Sequence, residues 1–480
     1  MKTLIGREAE IEVLDRLFQS ENAEFLAIYG RRRVGKTFLV TQHFKDRGIF
    51  FEITGAPNAT TKEQLLNFHD EFCALFKREK KPPKTWAEAF GRLRDAIKEI
   101  SPSKKVILFF DELPWLASTR SRFLQALDYN WNRHFSRMPN VLLIVCGSSA
   151  FWMVSQIINN KGGLYGRLSA HLRISPFSLS TTEKYLQSRG IQLPQAQICE
   201  IYMITGGVPK YLSYLEPGQS AAQCIHSLCF TPQAPLVGEF YKLYHSLFKN
   251  PELHFTIVQT LAKKHYGLTR KELLRETKLG NTGRTSEILT ELIESGFITL
   301  RPEIGKQTRE AHYYLSDEYS LFYLNWIEPV KTTILQDVDT NYWLQQQNTQ
   351  SWKIWAGYAF ENVCFKHLTK IKDALRIGGV ITTAGYWKSL KDGKKEAEID
   401  LVIDRSDQSI NLCEIKFYNE PFEMDHSYAK ELQRKKGVFS ARTKTRKALF
   451  VTLITSFGAV KNPAYLSVIN NQITLENLFD

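Results

Sequence analysis

The segment GRRRVGKT at residues 30–37 constrains the fold more tightly than any other stretch of the chain. It follows a short apolar run, FLAIY (25–29), and leads into a pattern that reads as a helix from about Lys36. Strand, glycine-bounded loop and helix in that order form a cradle for phosphate. Glycines free the loop backbone to turn its N–H groups on an anion, and the positive end of the helix adds to the attraction. Lys36 supplies a point charge for the β/γ-phosphate oxygens, and Thr37 a hydroxyl for Mg²⁺. Gly30, Arg31, Arg32, Arg33, Val34, Gly35 and Phe38 complete the stretch expected to line the nucleotide. The three arginines serve phosphates or a partner, or in part only face solvent.

Such a cradle needs a sheet behind it. IFFEIT (49–54), VILFF (106–110) and VLLIVC (141–146) are further strand-length apolar runs with helical patterns between them. That alternation predicts an α/β core with a parallel sheet over residues 1–180. The second of these runs continues into Asp111 and Glu112. Asp111 is expected to hold Mg²⁺ through water and Glu112 to orient the attacking water. The third ends in CGSSA (146–150), where Ser148 or Ser149 is expected to reach the γ-phosphate or the water as a polar sensor. ATP and Mg²⁺ are the cofactors this pattern implies.

At roughly 100–200 residues per domain, the 480-residue length predicts about three domains. The 43% hydrophobic and 24% charged content excludes a disordered or fibrous chain. The balance of 63 basic against 50 acidic residues, 63 − 50 = +13, permits a polyanionic partner without requiring one. Seven cysteines without a CxxC pair suggest neither a disulfide framework nor a zinc site, and a reducing cytoplasm is the expected location. The charged start MKTLIGREAE predicts no signal peptide, and no apolar run approaches the ~20 residues of a membrane span.

Residues 181–249 read as helical, with a break at TGGVP (205–209). Residues 250–331 carry three helical patterns and a hairpin, FITLRP and AHYYLS around EIGKQTRE, which predicts a winged helix. Its third helix presents Glu287, Glu291 and Glu294 on one face, offset only by Arg284, and so is expected not to read a DNA groove. Residues 332–350 read as a polar connector, and 351–480 as an aromatic helix followed by strands and a basic helix.

The segment EAEIDLVIDRSDQSINLCEIKF (396–417) holds a second constellation. With RSDQS (405–409) as the hairpin loop, Asp404 pairs with Ile410 and paired positions sum to 814. Asp400 then faces Glu414 and Glu398 faces Lys416 on one side, with Ile399 facing Ile415 on the other. Two opposed carboxylates repel, and a divalent cation between them converts the repulsion into a binding site of hard oxygens. Lys416 on the same face orients or activates a water. This is the D…ExK arrangement of metal-dependent PD-(D/E)XK nucleases. The basic stretch 430–447 offers a phosphate-binding surface or a solvated helix face.

Taken with IGREAEI (5–11), DELPWL (111–116), GGLYGRL (162–168) and GGVPKYL (206–212), the chain resembles the archaeal-type ATPases of the AAA+/STAND P-loop class, found in archaea and bacteria. The resemblance covers the whole chain, including a restriction-endonuclease-like C-terminal domain typical of one branch. It implies that the segment at Ile5 and Gly6 lies by the adenine and that Pro209 caps the nucleotide from a helical lid. It makes Arg167 an arginine finger, with a structural arginine as the other reading, and adds Glu361 to the metal ligands Asp400 and Glu414. The expectation is an ATP-hydrolysing protein regulating a Mg²⁺-dependent nuclease on nucleic acid, DNA before RNA, in defence, with no membrane partner and homo-oligomer formation open. The alternative is an ATP-driven switch whose C-terminal domain only binds nucleic acid or a protein.

Overall fold

The computed structural model describes residues 4–78, 81–159, 162–164, 166–306, 310–336, 342–347, 349–392 and 394–480. Parts of the polar loop at 77–84, of the GGLYGRL stretch, of the hairpin loop at 303–310 and of the connector at 332–350 lie outside these. The chain divides into two compact units, 1–176 and 177–480.

In the first unit, β1 (Glu24–Tyr29), β2 (Ile49–Thr54), β3 (Val106–Asp111), β4 (Val141–Gly147) and β5 (Ala170–Arg173) form a sheet of order β2-β3-β4-β1-β5. Every pairing in it is parallel. The central strands read as unbroken apolar runs because both faces are covered. Phe25, Ala27, Leu108, Phe110 and Leu143 enter one core, and Leu26, Ile28, Ile107, Phe109 and Ile144 the other. β5, AHLR, was not expected: it is an edge strand with His171 and Arg173 exposed, so it lacks the apolar run that marks the others. The order sets the C-terminal ends of β1, β4 and β3 side by side. The phosphate loop, Ser148 and the two carboxylates follow those ends. Helix α1 (Glu8–Gln19) precedes the sheet and α2 (Lys36–Phe44) leaves the loop.

The second unit holds the ranges expected as lid, winged helix and C-terminal domain, and one apolar core runs through all three, from Phe177 to Phe479. Short helices fill 179–247. Helices α3 (Glu252–Ala262), α4 (Arg270–Thr277) and α5 (Gly283–Glu294) follow, with a three-stranded sheet of β6 (Leu268–Thr269), β7 (Ile298–Arg301) and β8 (His312–Leu315) in the order β6-β8-β7. Thr269 and Glu272 cap α4 reciprocally. On α5, Ile288, Leu289 and Leu292 are buried, and Glu291 meets His254 at 2.7 Å and Arg284 at 3.8 Å. The acidic face is thus partly spent inside the unit.

The connector is not a plain polar segment. It contains helical turns at Lys331–Leu335 and Tyr342–Gln346, and Trp343 is fully buried, stacked on Phe230 with ring centroids 5.1 Å apart. A single large ring outweighs its polar neighbours once a core is available to it.

The C-terminal part runs α6 (Gln350–Lys366), β9 (Thr382–Lys391), β10 (Lys394–Arg405), β11 (Ser409–Lys416), α7 (His426–Thr443), β12 (Ala448–Thr455) and β13 (Asn471–Thr474). The sheet order is β13-β12-β11-β10-β9. β9, β10 and β11 form an antiparallel meander, and α7 is the crossover that lets β12 lie parallel to β11. Pairing of Leu401 with Cys413 through Asp404 with Ile410 keeps the 814 sum. The ladder stops there: β10 shifts register against β9 between Ile399 and Val402, and the Asp400 carboxylate accepts the N–H of Ile415 at 2.8 Å. The direct oppositions of Asp400 with Glu414, Glu398 with Lys416 and Ile399 with Ile415 are therefore not carried by the ladder. Among the described residues no helix is long and apolar enough to cross a membrane.

Candidate functional site

Two sites emerge, one in each unit. In the first, Gly30 has φ +146°, and a Cβ there would sit 2.2 Å from the Ile174 carbonyl oxygen, so only glycine fits. Gly35, at φ +91°, turns the loop into α2. Lys36 is buried, and its ammonium donates to the carbonyls of Gly30 at 2.9 Å and Arg31 at 3.0 Å. The loop holds the charge across its own concavity, where a phosphate would compete for it. Thr37 donates its hydroxyl to Asp111 Oδ2 at 2.6 Å. These two hard-oxygen groups, from the first turn of a helix and the end of a strand 74 positions apart, fit the shell of a Mg²⁺ ion. Glu112 takes the left-handed conformation, φ +46°, and its Oε2 accepts the Ser148 hydroxyl at 2.7 Å and backbone N–H at 3.3 Å. Ser148, not Ser149, is the serine that reaches this carboxylate.

The remaining loop residues divide by side chain. Arg31 is buried, and Arg32 and Arg33 are half-buried, Arg33 at φ +72°. Val34 is in the core and offers only backbone, and Phe38 is 41% exposed beside the loop. Arg167 is exposed, its N–H bonded to the Leu164 carbonyl at 3.1 Å. Pro209, in the second unit, opens a one-turn helix, Pro209–Leu212.

Arg7 was not anticipated. Its guanidinium is buried, donates to the carbonyls of Val34 at 3.1 Å and Ser175 at 2.8 Å, and pairs with Glu10 at 3.1 Å. It ties the N-terminal segment to the phosphate loop. Hydrogen bonds from a charged donor are worth about 1.5–3 kcal/mol. Arg7→Ala is therefore expected to lower stability by about 2–3 kcal/mol and to weaken ATP binding, read by thermal unfolding with and without nucleotide.

In the second unit, Glu361, Asp400, Glu414 and Lys416 line one cavity of about 380 Å³. Glu414 is buried, and both its oxygens are engaged. Oε1 accepts from Tyr428 at 2.7 Å and lies 3.0 Å from the Lys416 ammonium, and Oε2 accepts from Lys435 at 2.9 Å. Burial opposes its ionisation, yet Lys416 and Lys435 outweigh that and hold it down to about 2. Asp400 goes the other way: burial, then the charge of Glu414, push it up to about 7. Glu361 on α6 is driven well above the carboxylate range by burial and then by Asp400. Burial would lower Lys416, but Glu414 and Asp400 raise it.

Tyr428 and Lys435, both on α7, belong to this site and were not assigned singly. Their seven-residue spacing puts them on one helix face two turns apart, a signal that becomes legible only once α7 is known to cross over β11. The oxygen donors suit a divalent cation, and two lysines hold Glu414. Among the described residues no group of three or more His, Cys, Asp or Glu side chains is arranged to hold a metal ion.

Comparisons with known proteins bear on both units. Residues 4–215 match a family described as an ATPase domain predominantly from Archaea, and residues 323–432 match one described as archaeal and bacterial proteins of unknown function. The uncharacterized protein MJECL04 of Methanocaldococcus jannaschii is 23% identical over 427 residues, 86% of this chain and 87% of that one. The uncharacterized ATP-binding protein MJ0423 of the same organism is 38% identical over 45 residues, 9% of this chain and 76% of that one. Among solved structures, the Walker-type ATPase PABY2304 of Pyrococcus abyssi has a TM-score of 0.50 at 19% identity, covering 67% of this chain and 96% of that one.

Proposed function

We propose that the archaeal-type P-loop ATPase domain at residues 4–215 hydrolyses ATP with Mg²⁺ and thereby controls a C-terminal domain that cleaves nucleic acid, DNA before RNA, in a divalent-metal reaction. The observation that carries the nuclease part is the convergence of Asp400, Glu414, Lys416 and Glu361 on one cavity, from two strands and a helix. The α6–meander–α7–β12 order around them fits the nuclease-like fold expected from the sequence.

In the ATPase site Lys36 meets the β/γ oxygens, Thr37 and Asp111 offer oxygens to Mg²⁺, and Glu112 orients the attacking water. Ser148 holds Glu112 through Oε2 and so orients the carboxylate toward that water. Pro209 capping the nucleotide, Arg167 acting as a finger, a role in defence and self-association belong to the same reading and rest on resemblance.

In the C-terminal site a divalent ion would supply Lewis-acid charge and a water of lowered pKa. Asp400 and Glu414 would hold it, with Glu361 beside them. Lys416 would orient the water, and Lys435 would leave Glu414 as the ion arrives. Mixing the purified chain with DNA and Mg²⁺, with and without ATP, tests the reading. Strand breaks that need both the metal and Asp400 are expected, and intact DNA under all conditions would contradict it. The binding-only alternative has one observation in its favour: Glu414 already has three donors around it, and Lys435 stands where a cation would.

The titration of Asp400 gives a pH signature. Metal ligands must be deprotonated, so metal binding and cleavage are expected to rise about tenfold per pH unit below 7 and level off above it. In the metal-free protein the sign reverses. A carboxyl raised from 3.8 to about 7 contributes stability that is fully present below 3.8 and lost as pH climbs through 7. Glu414, lowered from 4.5 to about 2, contributes stability present above 4.5 and lost as pH falls through 2. Unfolding of wild type and Asp400→Asn between pH 4 and 8 with EDTA should differ in slope, wild type losing more stability as pH rises.

A further inference from the structure

Arg301 closes β7 and is 5% exposed. Its guanidinium lies 4.3 Å from the Tyr314 ring centroid and 3.9 Å from that of Phe365, and it donates to Asn362 Oδ1. Its Nε has no hydrogen-bond partner, and among the described residues no carboxylate forms an ion pair with it. Buried cations are ordinarily paired. Arg301 has Glu361 as a nearby countercharge without a direct ion pair. It lines the cavity of Asp400, Glu414 and Lys416, and also an adjoining one of about 570 Å³. His265, Tyr314, Tyr358 and Glu361 line both, so the two form one trough.

The larger cavity has a second peculiarity. Trp326 and Trp355 line it, and their indole N–H groups, buried like Arg301 Nε, also lack an acceptor. An indole N–H can only donate, and buried donors without acceptors are rare in folded proteins. Of these groups the Arg301 guanidinium brings positive charge to the wall, which suits a ligand carrying negative charge and acceptor oxygens. The wall adds an aromatic surface: Tyr358 stacks on His265 with centroids 3.9 Å apart and planes at 19°.

We propose that this cavity is a nucleotide subsite. It takes one unpaired nucleotide of the strand presented to Asp400, Glu414 and Lys416, with Arg301 gripping a phosphate oxygen and the base lying among Trp355, Tyr358 and His265. The proposal rests on the nucleic-acid reading of the C-terminal site. It gives that site a substrate preference: a duplex places one nucleotide in such a cavity only by unpairing it, whereas base–aromatic stacking suits single strands. Arg301 and His265 come from the winged-helix range, so that range contributes to the substrate site through its sheet and the end of α3, not through α5.

Binding of a fluorescent single-stranded oligonucleotide and of its blunt duplex to the full chain, in EDTA, tests this without requiring cleavage. Single strand is expected to bind at least tenfold tighter than duplex. Arg301→Gln should lose at least tenfold in single-strand affinity and flatten the salt dependence of log K by about 0.7. Lys263→Glu, a surface change at an exposed residue of the cavity rim, should lose several-fold, and it decides the matter if Arg301→Gln fails to fold. Duplex binding as tight as single strand, or both variants binding single strand like wild type, overturns the subsite. If wild type cleaves with Mg²⁺ while the variants bind unchanged, the subsite falls and the nuclease reading stands. If the variants weaken binding and no preparation cleaves, the subsite stands and the cleavage reading falls.

Discussion

Lys36→Ala is expected to cut ATP affinity by at least about a hundredfold and to abolish measurable hydrolysis. Removing one preorganised donor from a phosphate site costs about 2.7–4 kcal/mol, and Lys36 is held in place by two loop carbonyls before any ligand arrives. Glu112→Gln separates binding from chemistry. The shape and most of the loop survive, so ATP should bind about as tightly, while hydrolysis slows by about 10²–10⁴-fold because the group positioning the water loses its charge. Calorimetric titration with a non-hydrolysable ATP analogue and phosphate release on the two variants check both statements. Equal turnover in wild type and Glu112→Gln would place the water-orienting group elsewhere.

Glu414→Ala and Asp400→Ala should both abolish metal-dependent cleavage and leave ATP hydrolysis largely intact, yet they should differ in stability. Glu414 compensates Lys416 and Lys435 at 3.0 and 2.9 Å. Its removal strands two cations, and since both lysines keep some exposure the expected cost is about 1–3 kcal/mol. Asp400 is the repelled member, with its carboxyl pushed up by burial and by Glu414. Its loss relieves repulsion worth about 0.2–1 kcal/mol but leaves the Ile415 N–H without its acceptor, so the metal-free fold should be destabilised less than by Glu414→Ala. Urea unfolding at neutral pH in EDTA reads the difference. The opposition of two carboxylates across a hairpin, taken alone, treats them as equivalent; α7 makes them unequal.

What was legible in the chain follows from how local each cause is. The three central strands of the first sheet, β3, β4 and β1, announce themselves because burial on both faces demands unbroken apolar runs. β5 has no such run and is held by pairing to β1 and by Ala170 and Leu172 packing on the core. The register from Leu401–Cys413 to Asp404–Ile410 was readable because strand period two leaves no freedom once a turn is fixed. Its end at Asp400 was not, since a register shift inserts geometry that alternation does not encode. Lys36, Thr37 and Asp111 come together as strand ends require, whereas the bond from Ser148 to Glu112 is a contact the motif does not encode, since the serine is expected at the γ-phosphate or the water. Arg7, Lys435 and Arg301 were missed for a common reason. Each acts on a partner distant in sequence, and a lone basic residue carries no periodicity to mark it as buried rather than solvated. Trp343 was missed because its neighbours are polar and the core it fills comes from other segments.

The central claim is that one chain carries an ATPase and a separate metal-dependent nuclease. It is tested most directly by measuring phosphate release and DNA cleavage in the same Mg²⁺-containing reactions for wild type, Glu112→Gln and Asp400→Ala. The account predicts both activities in wild type, cleavage without ATP hydrolysis nowhere above its ATP-free level in Glu112→Gln, and full ATP hydrolysis with no cleavage in Asp400→Ala. Cleavage that persists in Asp400→Ala, or ATP hydrolysis that disappears with it, would contradict the account.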